Sequence, residues 1–121
     1  MGGVIEIYKI SFFEKLINGR LLKSMSSTSE VLDQFLTDYN DFKLVDDFVI
    51  SYIDEVLSNR TQEQTLISQC MISVRMTPEL SQFFQDPDYV SGSRPDFVIP
   101  TSHLRQIAVL WRDFLKNNRQ S

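Results

Sequence analysis

The chain has 121 residues, a net charge of −4, and 42% apolar and 23% charged residues, so it is long enough to bury one core and too apolar for wholesale disorder. A single cysteine, Cys70, excludes an intrachain disulfide, and with a single histidine, His103, it cannot build a protein-only zinc site. No apolar run approaches the ~20 residues that cross a bilayer, the N-terminus lacks a signal peptide's basic start and apolar stretch, and Glu6 stands where a myristoylation signal needs Ser or Thr. One cytoplasmic domain spanning residues 1–121 is expected.

In chain order, the β-branched alternation of Val4 to Ile10 predicts a strand. Phe12, Phe13, Leu16 and Ile17, ending at Asn18-Gly19, predict a short helix with a C-cap, although Ile5, Tyr8, Phe12, Phe13 and Leu16 also fit one continuous helical stripe. Ser27 and Glu30 have capping-box spacing ahead of Val31, Leu32, Phe35, Leu36 and Tyr39, which predicts a helix over 28–39. After a turn at Asn40-Asp41, the run Leu44, Val45, Phe48, Val49, Tyr52, Ile53, Val56, Leu57 predicts a second helix. Its opposite face carries Asp46, Asp47, Asp54 and Glu55.

Residues 65–76 are ambiguous. Leu66, Ile67, Cys70, Met71 and Val74 permit a helix, whereas Ile72, Val74 and Met76 permit a strand that turns at Thr77-Pro78 and returns through Leu80 to Phe84; the hairpin is preferred. Turn formers from Asp86 to Pro95 predict an exposed loop. Phe97 to Ile99 read as extended, Pro100 as a stop and Thr101 or Ser102 as a cap. Leu104, Ile107, Ala108, Trp111, Phe114 and Leu115 then form the buried face of a last helix. The expected fold class is α+β, a small single domain of amphipathic helices packed with a small antiparallel sheet or hairpin; all-α is the alternative.

Charge is unevenly placed. Residues 30–55 hold eight acids against Lys43 alone, a net −7, while the first 29 residues carry +2. Such a field repels nucleic acid and anionic membrane and attracts a basic protein surface; an ordinary solvated helix face is the plain alternative. Catalytic patterns are missing from the sequence. Cys70 in an apolar segment reads as a small core residue and His103 as a surface residue, and the four glycines build no phosphate-binding loop. The acids show no spacing that would converge them in a cleft or around a metal. No enzyme, metal or cofactor is expected. Tyr39, Tyr52 and Tyr89 are of the type that anchors protein interfaces when exposed.

The segments ISVRM (72–76), ELSQFFQD (79–86) and DFVIPTSHLRQIAVLWRDFL (96–115) together resemble the C-terminal half of small bacterial immunity proteins encoded beside polymorphic toxins, including those of contact-dependent growth inhibition. The shared phrase is Ile99-Pro100-Thr101 followed by Leu104, Ile107, Leu110, Trp111, Phe114 and Leu115, and the resemblance covers roughly residues 69–115. It implies a protein without enzymatic activity that binds a toxin domain, often a basic RNase or DNase, as a monomer in a 1:1 heterodimer and covers its active site, or locks it from a neighbouring surface. The residues expected to carry that contact are Asp33, Asp38, Asp41, Asp46, Asp47, Asp54 and Glu55, with Tyr39 and Tyr89 as aromatic anchors. The runner-up is a cytosolic secretion chaperone or adaptor, which differs in predicting a stable homodimer and an effector segment held extended.

Overall fold

In the computed structural model, which describes residues 3–85 and 94–117, the elements run α1 (Val4–Tyr8), β1 (Ser11–Ile17), β2 (Arg20–Ser26), α2 (Glu30–Asp38), α3 (Phe42–Leu44), a π-helical segment (Val45–Ile50), α4 (Ser51–Leu57), β3 (Gln64–Ile67), β4 (Ser73–Met76), β5 (Leu80–Phe84), β6 (Phe97–Pro100) and α5 (Thr101–Asn117). β1 and β2 form an antiparallel hairpin of their own, and β3-β4-β5-β6 form a four-stranded antiparallel sheet. The class is therefore α+β, and the all-α alternative is excluded.

The N-terminal assignments are reversed. Val4–Tyr8, expected as a strand, is helical, and Ser11–Ile17, expected as a helix, is a strand. The reason lies at Asn18-Gly19. Both residues have positive φ, 52° and 79°, as a two-residue type I′ hairpin turn requires, and Ile17 pairs with Arg20 directly across it. The same dipeptide ends helices, so only the pairing of both flanks decides its meaning. α1 closes at Lys9 (φ 54°), and Ile10 N–H donates back to Ile5 O at 2.9 Å.

α2 is capped two residues later than the Ser27 spacing suggests. Ser29 is the N-cap, its Oγ accepting from Leu32 N–H at 3.2 Å, while Ser27 Oγ donates to Asp33 Oδ1 at 2.6 Å. α3, the π segment and α4 run on as one continuous helix, as the spacing predicted, but the wide π turn rotates its faces. Val45, Val49, Ile50, Ile53 and Val56 are buried, whereas Leu44 and Phe48, inward on a strict 3.6-residue period, are each 42% exposed.

The predicted β4–β5 hairpin is present, with Val74 opposite Phe83 and Met76 opposite Ser81. Leu66 and Ile67 add a third strand, because Leu66 pairs with Val74 and puts its side chain into the same core. Cys70 is exposed in the connecting turn and is not a core residue. The loop expected over residues 86–95 lies, except for Arg94 and Pro95, outside the described residues.

α5 closes the core. Leu104, Ile107, Ala108 and Trp111 have no exposed surface, and Trp111 Nε1–H donates to Tyr39 O at 3.0 Å. Phe12 of β1 stacks on both Trp111 and Phe114. At the other end of the helix Thr101 Oγ1 donates to Thr77 O at 2.6 Å and accepts from Ser81 Oγ at 2.8 Å, so its hydroxyl fastens helix to sheet. Trp111→Ala removes a large buried side chain and leaves the Tyr39 carbonyl unsatisfied; by analogy with other large-to-small core changes it should cost about 3–5 kcal/mol in urea denaturation. A loss below about 1 kcal/mol, the scale of surface changes, would contradict this packing.

Candidate functional site

The acidic stretch spans two elements, α2 and the α3–α4 helix, and the structure gives its carboxylates different tasks. On α2, Asp33 accepts the hydroxyl of Ser27 at 2.6 Å and its amide at 3.1 Å. Burial outweighs those two bonds and raises its pKa. Asp38 is also pulled up by burial, but the Ser68 hydroxyl, the Cys70 amide, the Gln34 side chain and the Cys70 thiol together prevail and hold it below the ordinary value. Its oxygens lie 2.7 Å from Gln34 Nε2 and 3.0 Å from Cys70 N. Tyr39 is half-buried against Phe35, and burial raises its pKa. Its hydroxyl reaches the Ile67 carbonyl at 3.5 Å. Tyr39 is thus largely committed to the fold.

On the second helix, Asp41 is the N-cap of α3 and accepts from Lys43 N–H at 2.8 Å. Asp46 pairs with Arg112 at 2.8 Å and Asp54 with Arg105 at 2.6 Å. The two pairs occur in reversed order along the two helices, so the continuous α3–α4 helix and α5 pack antiparallel. Those bonds to carboxylate outweigh burial and raise the pKa of both arginines. Glu55 accepts from Gln64 Nε2 at 2.5 Å. Asp46, Asp54 and Glu55 border one shallow groove of about 410 Å³, with Ser58 and Arg60 at its rim. Asp33 and Asp38 lie elsewhere, on α2.

Asp47 differs from all of these. It is exposed, and its side chain has no hydrogen bond or ion pair among the described residues. Beside it Leu44 and Phe48 project outward, and Phe48 meets the half-buried Tyr52 edge-on at 6.4 Å between centroids. The sequence placed these two side chains in the core because nothing in its period announces a π turn. It also passed over Arg105 and Arg112, whose seven-residue spacing on α5 nearly matches the eight between Asp46 and Asp54. Tyr89 lies outside the described residues.

Cys70 and His103 have separate partners: Cys70 contacts Gln34 and Asp38, while His103 Nδ1 lies 2.7 Å from the Tyr8 hydroxyl. Among the described residues no group of three or more His, Cys, Asp or Glu side chains could hold a metal ion, and no helix is long and apolar enough to cross a membrane. No protein family, curated protein or solved structure matches the chain.

The Asp38 environment has a pH signature. Its carboxyl is held below 3.8, so its contribution to stability is present above that value and is lost as pH falls through the lowered folded-state value. Denaturation across the acid range should show wild type most separated from Asp38→Asn at neutral pH and converging with it as the medium is acidified. A gap that widens on acidification would reverse the assignment.

Proposed function

We propose that this chain is an immunity protein that binds and neutralises a cognate toxin domain, a nuclease with a basic cleft. The observation that carries the reading is the outward face of the α3–α4 helix, where the unpaired Asp47 stands beside the exposed side chains of Leu44 and Phe48. An apolar pair gives a partner area to bury, and a carboxylate without an internal partner gives it a charge to meet. Phe48 gives only an edge contact to Tyr52, and the Asp47 carboxylate has no partner among the described residues. A lysine or arginine that grips phosphate in a nuclease cleft would meet Asp47 with little rearrangement on this side of the contact.

The same geometry narrows the set of contact residues. Asp46 and Asp54 are shared with Arg112 and Arg105, so presenting them to a toxin would mean competing with those arginines. Their role in this reading is long-range: the −7 of residues 30–55 speeds encounter, while Asp47, Leu44 and Phe48 hold the docked state. The resemblance of residues 69–115 to immunity proteins falls on core positions and therefore supports the scaffold, leaving partner choice to the surface.

The test is co-purification with the C-terminal domain encoded beside this gene, scored by complex stoichiometry and suppression of nuclease activity. Asp47→Lys should weaken the complex about tenfold or more and slow association most at low salt. Phe48→Ala should act on the dissociation rate instead. If both variants bind as wild type does, this helix is not the interface. If the neighbouring domain is bound only when unfolded, the chaperone reading replaces neutralisation.

A further inference from the structure

The β1–β2 hairpin is the least covered element of the fold. Its base is held on one face by α5, where Phe12 stacks and Lys23 Nζ donates to Leu115 O at 3.0 Å, and on the other by α2, where Ser24 is buried. Its distal half is more open. Leu16 and Leu21, opposite each other in register, are 69% and 65% exposed, and Phe13, Ile17 and Leu22 are exposed on the reverse face. A two-stranded ribbon with both faces in water is marginal by itself, so a partner for this one is expected on physical grounds.

Beside the reverse face runs a groove of about 620 Å³, and its two walls are chemically opposite. One wall is hairpin: Lys15, Ile17 and Leu22. The other is the polar stripe of α2, where Glu30, Asp33, Gln34 and Thr37 recur at helical spacing. An occupant of this groove needs apolar groups toward Ile17 and Leu22 and cations toward the acidic helix. The hairpin's own reverse face has that composition, since Lys15 and Arg20 share it with Ile17 and Leu22. Neither Lys15 nor Arg20 has an ion-pair partner among the described residues, and the exposed Glu30 has no such pair either.

We infer that the groove is filled by the hairpin of a second copy of this chain, in a two-fold dimer. If hairpin one lies in groove two, the same operation lays hairpin two in groove one, so a single closed contact covers the reverse face of both ribbons and leaves Leu16 and Leu21 outside it. Ile17 and Leu22 meet their counterparts, and Lys15 of each copy faces Glu30 of the other. The acidic α3–α4 face stays free, because α3 begins against the opposite side of the hairpin, where Leu21 borders Asp41 and Phe42. A toxin complex would accordingly hold two copies of each chain. A homodimer alone then no longer separates an immunity protein from a chaperone; the folded or extended state of the bound partner does.

The experiment is sedimentation equilibrium of the chain alone, over a concentration series reaching the millimolar range, with circular dichroism on every variant. Wild type should move from one chain mass to two. Ile17→Asp and Lys15→Glu should each raise the dissociation constant about tenfold or more. Lys15→Glu combined with Glu30→Lys should recover most of that loss, since the pair is exchanged across the contact. Because these positions are exposed, the fold survives the changes. A chain that remains monomeric throughout, its hairpin covered only when a different protein is added, overturns the inference. So does a dimer indifferent to these substitutions, or a double charge exchange that recovers nothing. No toxin is present in the measurement, so its outcome is independent of the neutralisation reading.

Discussion

The indole of Trp111 is the point through which the separate parts of this fold are joined. It is fully buried on α5, its ring stacks on Phe12 of the hairpin, and its N–H satisfies the carbonyl of Tyr39 at the end of α2. An indole cannot be sealed in a core without a partner for its single donor, so the C-terminal end of α2 must lie where that carbonyl is offered. The hairpin follows from the same helix by a second bond: Lys23 caps α5 through the Leu115 carbonyl, a group the helix itself leaves unpaired. Thr101 ties the opposite end of α5 to the sheet. Three layers are thus placed by one helix, although only the hydrophobic face of that helix is visible as a pattern.

What the sequence shows well is what depends on one segment at a time. α2, the helix over residues 42–57 and α5 each bury a stripe that recurs at helical spacing, and each is found where the spacing puts it. The β4–β5 hairpin is legible too, since Thr77-Pro78 separates two alternating runs. What fails depends on pairs of segments. Asn18-Gly19 closes a helix or turns a hairpin according to whether Ser11–Ile17 has Arg20–Ser26 to pair with, and the apolar side chains of the distal hairpin give no alternation, because both of its faces remain outside. Leu66 and Ile67 become strand only when β4 is there to receive them. The π turn is a third kind of failure: it changes which residues face inward without changing the element, so Ile50 is buried in place of Phe48.

Charge is legible in amount and not in availability. Eight acids in residues 30–55 suggest a continuous acidic surface. Folding spends most of them locally: Asp33 holds the turn before α2, Asp38 organises the Cys70 turn, Asp41 caps α3, and Asp46 of the π segment and Asp54 of α4 are joined to α5 through two arginines. Those ion pairs are half-exposed, and pairs of that kind contribute at most about 1 kcal/mol each, so their main effect is on orientation and on the near field. At a distance the whole stretch still acts as net negative charge; at contact only groups without an internal partner can be given to another molecule at no cost to the fold.

That distinction organises the surface. Asp47 with Leu44 and Phe48 on one side, and Lys15, Arg20 and the distal hairpin on another, are the places where unpaired charge and exposed apolar area coincide. They carry opposite signs and lie on different sides of β2, so a single flat partner could not match both. The acidic helix suits a basic protein. The basic hairpin lies beside an acidic helix wall of its own chain, which makes that part of the surface complementary to itself. A domain of this size can therefore pair with a copy of itself and still offer a second, oppositely charged face, because α3 starts beside the Leu21 face of the hairpin while Lys15, Ile17 and Arg20 lie on the other.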